Sequence, residues 1–255
     1  MGVNMKSEMF NVAGKVVCVT GASGGIGRAI ATFLARNGAM VVGVARRAPE
    51  LMVWSDSTEG DTAFVATDLS DRSLMPETIA QIESHFGAPD ILINAAGINT
   101  REAASDVTGA GWDITFNINL MAPFFLAQGL VPAMQRKGWG RVINFASLQS
   151  RRAFPSGIAY GATKGGIEQL TRAMAEAWSS DGININALAP GFFPTDLTEA
   201  VFSDPVRSNR NAEQTCIGRN GEMNDLYGPL LFFCSSASDY VTGQTLFVDG
   251  GFTAK

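Results

Sequence analysis

The sequence predicts an α/β protein in which helices cover both faces of a doubly wound, seven-stranded parallel sheet. Three observations lead there. Short apolar runs alternate along the chain with longer stretches whose apolar residues fall at helical spacing. The first run passes through a glycine-rich turn directly into a helix-like stretch. Gly21, Asp68 and Asn94 stand at the carboxyl ends of predicted strands, where open parallel sheets bind their ligands.

Taken in order, residues 15–20 (KVVCVT) read as a buried strand, and residues 28–37 carry Ile30, Phe33 and Leu34 at helical spacing. Residues 40–44 give the second strand. Residues 46–61 are irregular and allow at most a turn or two of helix. Residues 62–66 form the third strand, and Ser70 or Asp71 is a candidate cap for a helix ending at Phe86, with Gly87 and Pro89 as stop signals. The fourth strand covers residues 90–94. A long helix over 112–135 follows, which Pro123 should interrupt or kink. Residues 141–145 form the fifth strand, a helix runs from Tyr160 towards Asp181, and residues 183–188 form the sixth strand. Residues 191–218 show few regular signals and read as an insertion able to fold over a site. A helix over 224–235 and a strand over 245–248 complete the order. No internal repeat or linker interrupts it, so residues 1–255 read as one domain.

Composition narrows the function. The 255 residues are 46% hydrophobic and 17% charged, enough for a large packed core. A net charge of −5, without basic clusters, argues against a nucleic-acid partner. No apolar run in the sequence approaches the ~18 residues of a membrane span. Residues 1–10 lack a signal-peptide core, and Lys6 stands where a myristoylation motif requires serine or threonine. Cys18, Cys216 and Cys234 are scattered and read as reduced core thiols, which places the protein in the cytoplasm. One histidine, His85, excludes a multi-histidine metal site, so no metal is expected.

Two motifs carry chemistry. In Thr20-Gly-Ala-Ser-Gly-Gly-Ile-Gly27, Gly21 suits a tight turn, Gly25 a close approach to pyrophosphate, and Gly27 close packing of helix on strand. The N–H groups opening the helix then face the phosphates. In Tyr160-Gly-Ala-Thr-Lys164, phenol and ammonium lie one helical turn apart on one face. A neighbouring ammonium favours the phenolate, so the pair can transfer protons.

These motifs, in this order and spacing, resemble those of the short-chain dehydrogenase/reductases over nearly the whole chain. The resemblance implies a Rossmann-like fold and a nicotinamide cofactor. It places Ser23 and Ile26 with the three glycines at the cofactor turn, Asp68 and Leu69 among the cofactor-binding residues, and Asn94 and Gly97 in the fourth-strand motif Asn94-Ala-Ala-Gly97. Pro190, Gly191 and Thr195 match the segment that binds the nicotinamide carboxamide. Ser147, thirteen residues before Tyr160, matches the residue that donates to the substrate oxygen. Asn119, seven residues after Trp112, matches the asparagine that holds a water beside Lys164. Lys164 would lower the phenol pKa and hold the ribose hydroxyls, while Tyr160 would move the proton.

Within the family, residues 190–198 and 236–251 resemble the gluconate 5-dehydrogenase and 2-deoxy-3-keto-gluconate dehydrogenase groups. The implied substrate is a sugar acid or related polyol, a small molecule, and the implied assembly is a homotetramer, to which apolar residues 230–234 and 246–248 would contribute. A 3-oxoacyl carrier-protein reductase and a dinucleotide-binding regulator without turnover are the alternatives. NADP is expected over NAD: Ala45 stands where an NAD site usually has an acid, and Arg46, with Arg47, can meet a 2′-phosphate. The family's other common basic position is Gly24 here. Arg101 is the first candidate to hold a substrate carboxylate, with Arg151 and Arg152 second.

Overall fold

The computed structural model describes residues 9–255, so the expectations for a leader or lipid signal in residues 1–8 fall outside it. Seven strands form one parallel sheet in the order β3-β2-β1-β4-β5-β6-β7. They are β1 Val16–Thr20, β2 Met40–Ala45, β3 Thr62–Ala66, β4 Ile91–Asn94, β5 Gly140–Phe145, β6 Ile183–Pro190 and β7 Thr245–Val248. The order reverses between β1 and β4, which opens a crevice at their carboxyl ends. Strands β1, β4 and β5 are buried along their whole length, as a sheet covered on both faces requires.

One face is covered by α1 (Gly25–Arg36) and α2 (Ala48–Ser57), and Ile30, Leu34, Leu51 and Trp54 pack there against Val17, Val19 and Val41. The irregular stretch expected after Arg46 is therefore a helix of ten residues. Its pattern is hard to read because Leu51 and Trp54 are buried while Met52 and Val53 between them are exposed. Packing fixes it: the buried Trp54 ring lies against Gly43, where a Cβ would stand 2.5 Å from the ring, and its indole donates to Thr32 Oγ1 at 3.0 Å.

The other face carries α3 (Met75–Phe86). Before it, Asp71 caps a short 3₁₀ turn, and Gly87 ends the helix in a left-handed-φ conformation. Next comes α4 (Gly109–Phe116), joined through a π-helical turn, Asn117–Met121, to α5 (Ala122–Lys137). The break anticipated at Pro123 is this wide turn. Proline has no N–H for the carbonyl four residues back, and the helix widens rather than ends. The continuous stretch Gly109–Lys137 reaches a mean hydropathy of 1.4 over 18 residues, enough by composition to cross a membrane. Half of that window is buried in the protein, and Leu126, Ala127, Leu130, Val131 and Met134 belong to the core.

Helix α6 (Ile158–Trp178) completes this face and carries Tyr160 and Lys164 on its first turns. Residues 191–218 are more ordered than the sequence suggested. A 3₁₀ turn, Asp196–Thr198, leads into α7 (Glu199–Phe202) and α8 (Pro205–Glu213), the latter capped by the Asp204 carboxylate, which accepts from the N–H groups of Val206 and Arg207 at 3.0 and 3.3 Å. None of the three has a buried residue, which is why no apolar stripe marked them. Helix α9 (Met223–Cys234) returns to the first face through Leu230 and Phe233. Of the three free cysteines, Cys18 and Cys234 are buried and Cys216 is exposed, so only two are core thiols.

Candidate active site

The crevice has two ends, and the β1–α1 turn forms the first. Gly21 adopts φ +76, and a Cβ on Gly27 would come within 2.3 Å of the Gly21 carbonyl oxygen. Helix α1 therefore sits as close to β1 as backbone allows. No side chain caps α1 and no acid lies in its first turn, so its opening N–H groups are available to an anion. Thr195 roofs this turn, 3.4 Å from where a Cβ on Gly25 would stand. These features fit the pyrophosphate of a dinucleotide.

Other residues expected to touch the cofactor are distributed unevenly. Ser23 accepts from Arg47, whose Nε and Nη2 lie 3.2 and 3.1 Å away, while Arg46 lines an open hollow of about 430 Å³ with Thr67, Asp68 and Gln81. The Asp68 carboxylate accepts from the N–H and hydroxyl of Ser70 at 2.9 and 2.8 Å, which fixes the turn after β3. The Leu69 side chain is in the core, so only its backbone can face a ligand. Asn94 turns its side chain into the sheet, where it donates to Asn144 Oδ1 at 2.9 Å. Gly97 passes within 3.6 Å (measured from an ideal Cβ) of the Lys164 ammonium. Ile26 is half-buried against the core, and Pro190 ends β6. A Cβ on Gly191 would stand 2.9 Å from Asp249 Cα, so a side chain there would force β7's end away.

At the second end Asn119, Tyr160 and Lys164 are buried and Ser147 is half-buried. Asn119, on the π-helical turn, receives the Ile98 N–H at 2.9 Å and donates to Ile98 O at 2.9 Å and Thr163 Oγ1 at 3.1 Å. Thr163 donates to Tyr160 O at 2.7 Å. One asparagine thus ties the loop after β4 to the helix bearing Tyr160 and Lys164. Ser150 ties the loop after β5 to the same helix, since its hydroxyl donates to Lys164 O at 2.7 Å and receives the Ser147 N–H at 3.3 Å. Ser150 and Thr163 were missed in the sequence because neither belongs to the reacting set. Their signal was adjacency to Ser147 and Lys164.

Electrostatics at this end depart from the simplest expectation. Burial pushes the Tyr160 phenol above its ordinary range, and the Ser147 hydroxyl and then the Arg101 charge pull it back. Burial also lowers Lys164, to about 8. Its ammonium donates to Phe145 O at 2.6 Å and lies 5.5 Å from the Tyr160 ring centre. Two cations, Arg101 and Lys164, therefore stand near the phenol, and the Arg101 charge favours its ionised form.

Arg101 holds φ +55, a conformation that costs a non-glycine residue energy, and its guanidinium donates to Leu197 O in the segment 191–218. It is brought together with Tyr160 and Leu197. Arg151 is not: it pairs with Glu168 at 3.3 Å and lies over Phe247. Arg152 lies over Phe252, which packs with Phe154 and Phe192 in an aromatic cluster at the start of residues 191–218.

Comparison with known proteins shows what kind of site this is. Residues 21–253 match the family model described as enoyl-(acyl carrier protein) reductase. Gluconate 5-dehydrogenase of Gluconobacter oxydans is 38% identical over 96% of this chain and 97% of its own. The chain belongs to the short-chain dehydrogenase/reductase family. A second family member, 2-dehydro-3-deoxy-D-gluconate 5-dehydrogenase of Dickeya dadantii, is 37% identical over 96% of this chain and 98% of its own. A crystal structure of a gluconate 5-dehydrogenase from Burkholderia cenocepacia, in complex with NADP and tartrate, superposes with a TM-score of 0.91 at 35% identity, covering 98% of this chain and 99% of that one. The chain is accordingly an NAD(P)-dependent oxidoreductase acting on CH–OH groups. The nicotinamide, when bound, supplies the hydride acceptor or donor. The protein's part is to hold the substrate carbon and move the proton on its oxygen.

Proposed function

We propose that this enzyme oxidises a secondary hydroxyl of a sugar acid, or reduces the corresponding ketone, with NADP preferred over NAD. The observation that carries the substrate class is Arg101, a cation set beside the buried Tyr160 phenol and under the lid turn, in reach of an anionic substrate. In this reading Tyr160 moves the proton, Ser147 donates to the oxygen on which charge develops, and Lys164 holds the ribose and supports Tyr160. Asn119 holds the geometry and a water beside Lys164. The backbone of residues 21–27, with Asp68, Leu69, Asn94, Gly97, Pro190, Gly191 and Thr195, surrounds the dinucleotide. Arg46 and Arg47 stand at its 2′-phosphate end.

The whole chain acts as one domain whose residues 191–218 form the lid. It works in the cytoplasm as a homotetramer. Support for assembly comes from β7, an edge strand with exposed Leu246 and a fully exposed Tyr240 before it. Leu230, Phe233 and Cys234 give no such support, because they complete the core. A carrier-protein reductase would need a basic docking surface, whereas the net charge is −5. A regulator without turnover would have no use for the braced serine, tyrosine and lysine. The test is NAD(P)H absorbance with a panel of sugar acids, polyols and neutral ketones. Turnover confined to acids, faster with NADP, is expected; turnover confined to neutral ketones would refute the substrate class.

A further inference from the structure

We propose that Glu102 is a positioning residue whose carboxylate locks the loop after β4 in the strained shape that aims Arg101 at an acid substrate. The inference rests on the reading of Arg101 given above. At φ +55 Arg101 lies in the left-handed region, where a residue with a Cβ is strained. Such a conformation persists only where its surroundings over-determine it. The contacts of Arg101 itself are few: its exposed guanidinium reaches Leu197 O, and its backbone N–H donates to Asn99 Oδ1 at 3.0 Å.

The next residue supplies the rest. One oxygen of Glu102 accepts from Thr100 Oγ1 at 2.9 Å, and the other accepts from Thr108 Oγ1 at 2.7 Å and from the Thr108 N–H at 3.2 Å. The Thr108 hydroxyl, and after it that of Thr100, holds the carboxyl below its ordinary range, so these are hydrogen bonds to a charged group. Thr108 is also the N-cap of α4, where its Oγ1 accepts from the Gly111 N–H at 2.9 Å. The carboxylate thus lies over the start of α4, where negative charge is favoured. A Cβ on Gly111 would collide with it, and the three atoms nearest to that Cβ all belong to the Glu102 carboxylate. The glycine keeps its place open. The loop is therefore tied at both ends to one helical stretch, Ile98 by Asn119 and Glu102 by Thr108, and Arg101 is pinned between the ties.

The experiment measures kcat and KM with D-gluconate for Glu102→Ala, Arg101→Ala and the double variant. Glu102→Ala should raise KM about tenfold and leave kcat within about twofold. In the Arg101→Ala background the same substitution should change KM by less than about twofold, because no guanidinium is left to aim. Glu102→Gln keeps the shape and one acceptor oxygen, and it should recover part of the loss. Gly111→Ala reaches the same end by another route. It evicts the carboxylate while favouring the helix, so KM should rise about threefold or more with no drop in melting temperature. A KM unmoved by Glu102→Ala would overturn the proposal. So would a Glu102→Ala effect of equal size with and without Arg101, or a fall in kcat as large as the rise in KM, either of which would leave Glu102 as a brace of α4 alone. No turnover of D-gluconate by the unaltered enzyme, or a KM that Arg101→Ala does not move, would instead remove the reading of Arg101 beneath it.

Discussion

The floor of the crevice and its lid are built on opposite principles. On the floor, Asn119, Thr163 and Lys164 are almost wholly buried, and each of these three side chains is hydrogen-bonded to backbone. The elements of residues 196–213 bury no residue, and two exposed arginines touch the first turn: Arg101 donates to Leu197 O and Arg47 lies 3.9 Å from Asp196. Groups that must keep a fixed distance from a reacting atom are over-determined by packing. Groups that recognise what enters are exposed, long and weakly held, so that a ligand can recruit them.

If that division is right, substitutions on the floor should damage the chemical step and substitutions at the lid should damage recognition. The largest effect belongs to Tyr160→Phe. It removes one oxygen and leaves the ring packed, so kcat should fall by about 10²–10⁴-fold while NADPH affinity, followed by fluorescence, stays within about twofold. A kcat within tenfold of the unaltered enzyme would take the proton transfer away from this residue. Arg101→Ala should fall on the other side of the division. KM for an acid substrate should rise by roughly ten- to a hundredfold, the worth of a hydrogen bond to a charged group, with little change for a neutral ketone. Equal effects on both substrates would mean that Arg101 only braces Leu197.

Lys164 tests the cost of burying the floor. Its folded pKa is about 8, below the ordinary 10.5, because burial disfavours the charged form. Below pH 8 the lysine is charged in both folded and unfolded chains, and the full penalty applies. Between about 8 and 10.5 the folded chain releases the proton that the unfolded chain keeps, so stability rises with pH. Lys164→Met has no such gain. Thermal melts without cofactor, compared between pH 7 and 9.5, should therefore shift in favour of the unaltered protein as pH rises. A constant difference across that range would show that the ammonium is better solvated than its surroundings imply.

The same division explains what the sequence made legible. The strands of the floor were readable because burial on both faces leaves continuous apolar runs, and the edge strands Thr62–Ala66 and Thr245–Val248 were readable from the turns that bound them. Tyr160 and Lys164 were readable because helical spacing puts them on one face. Helix α2 was not, since two exposed apolar residues blur the stripe made by Leu51 and Trp54. The lid helices were not, because nothing in them is buried. The places of Arg47 and Arg101 were beyond any reading of spacing: Arg47 is held by Ser23 of the β1–α1 turn and Arg101 reaches Leu197 across about a hundred residues. The hydrogen bond from Lys164 to Phe145 O was equally hidden, since it is set by where β5 ends.

The smallest effect offers the finest test of the lid. Asp204 caps α8, and its carboxylate also lies 3.2 Å from Arg207. Losing such a cap costs a helix about 1 kcal/mol. In a helix packed into the core that loss would lower the melting temperature. Helix α8 buries no residue, so it can open while the sheet stays folded, and the loss should appear as local opening alone. Asp204→Ala should therefore leave the melting temperature within about 1 °C, speed amide exchange in Pro205–Glu213 by roughly fivefold, and raise KM by no more than that factor. A drop of several degrees in melting temperature would show that the lid is part of the cooperative core and that the two regions are not built differently after all.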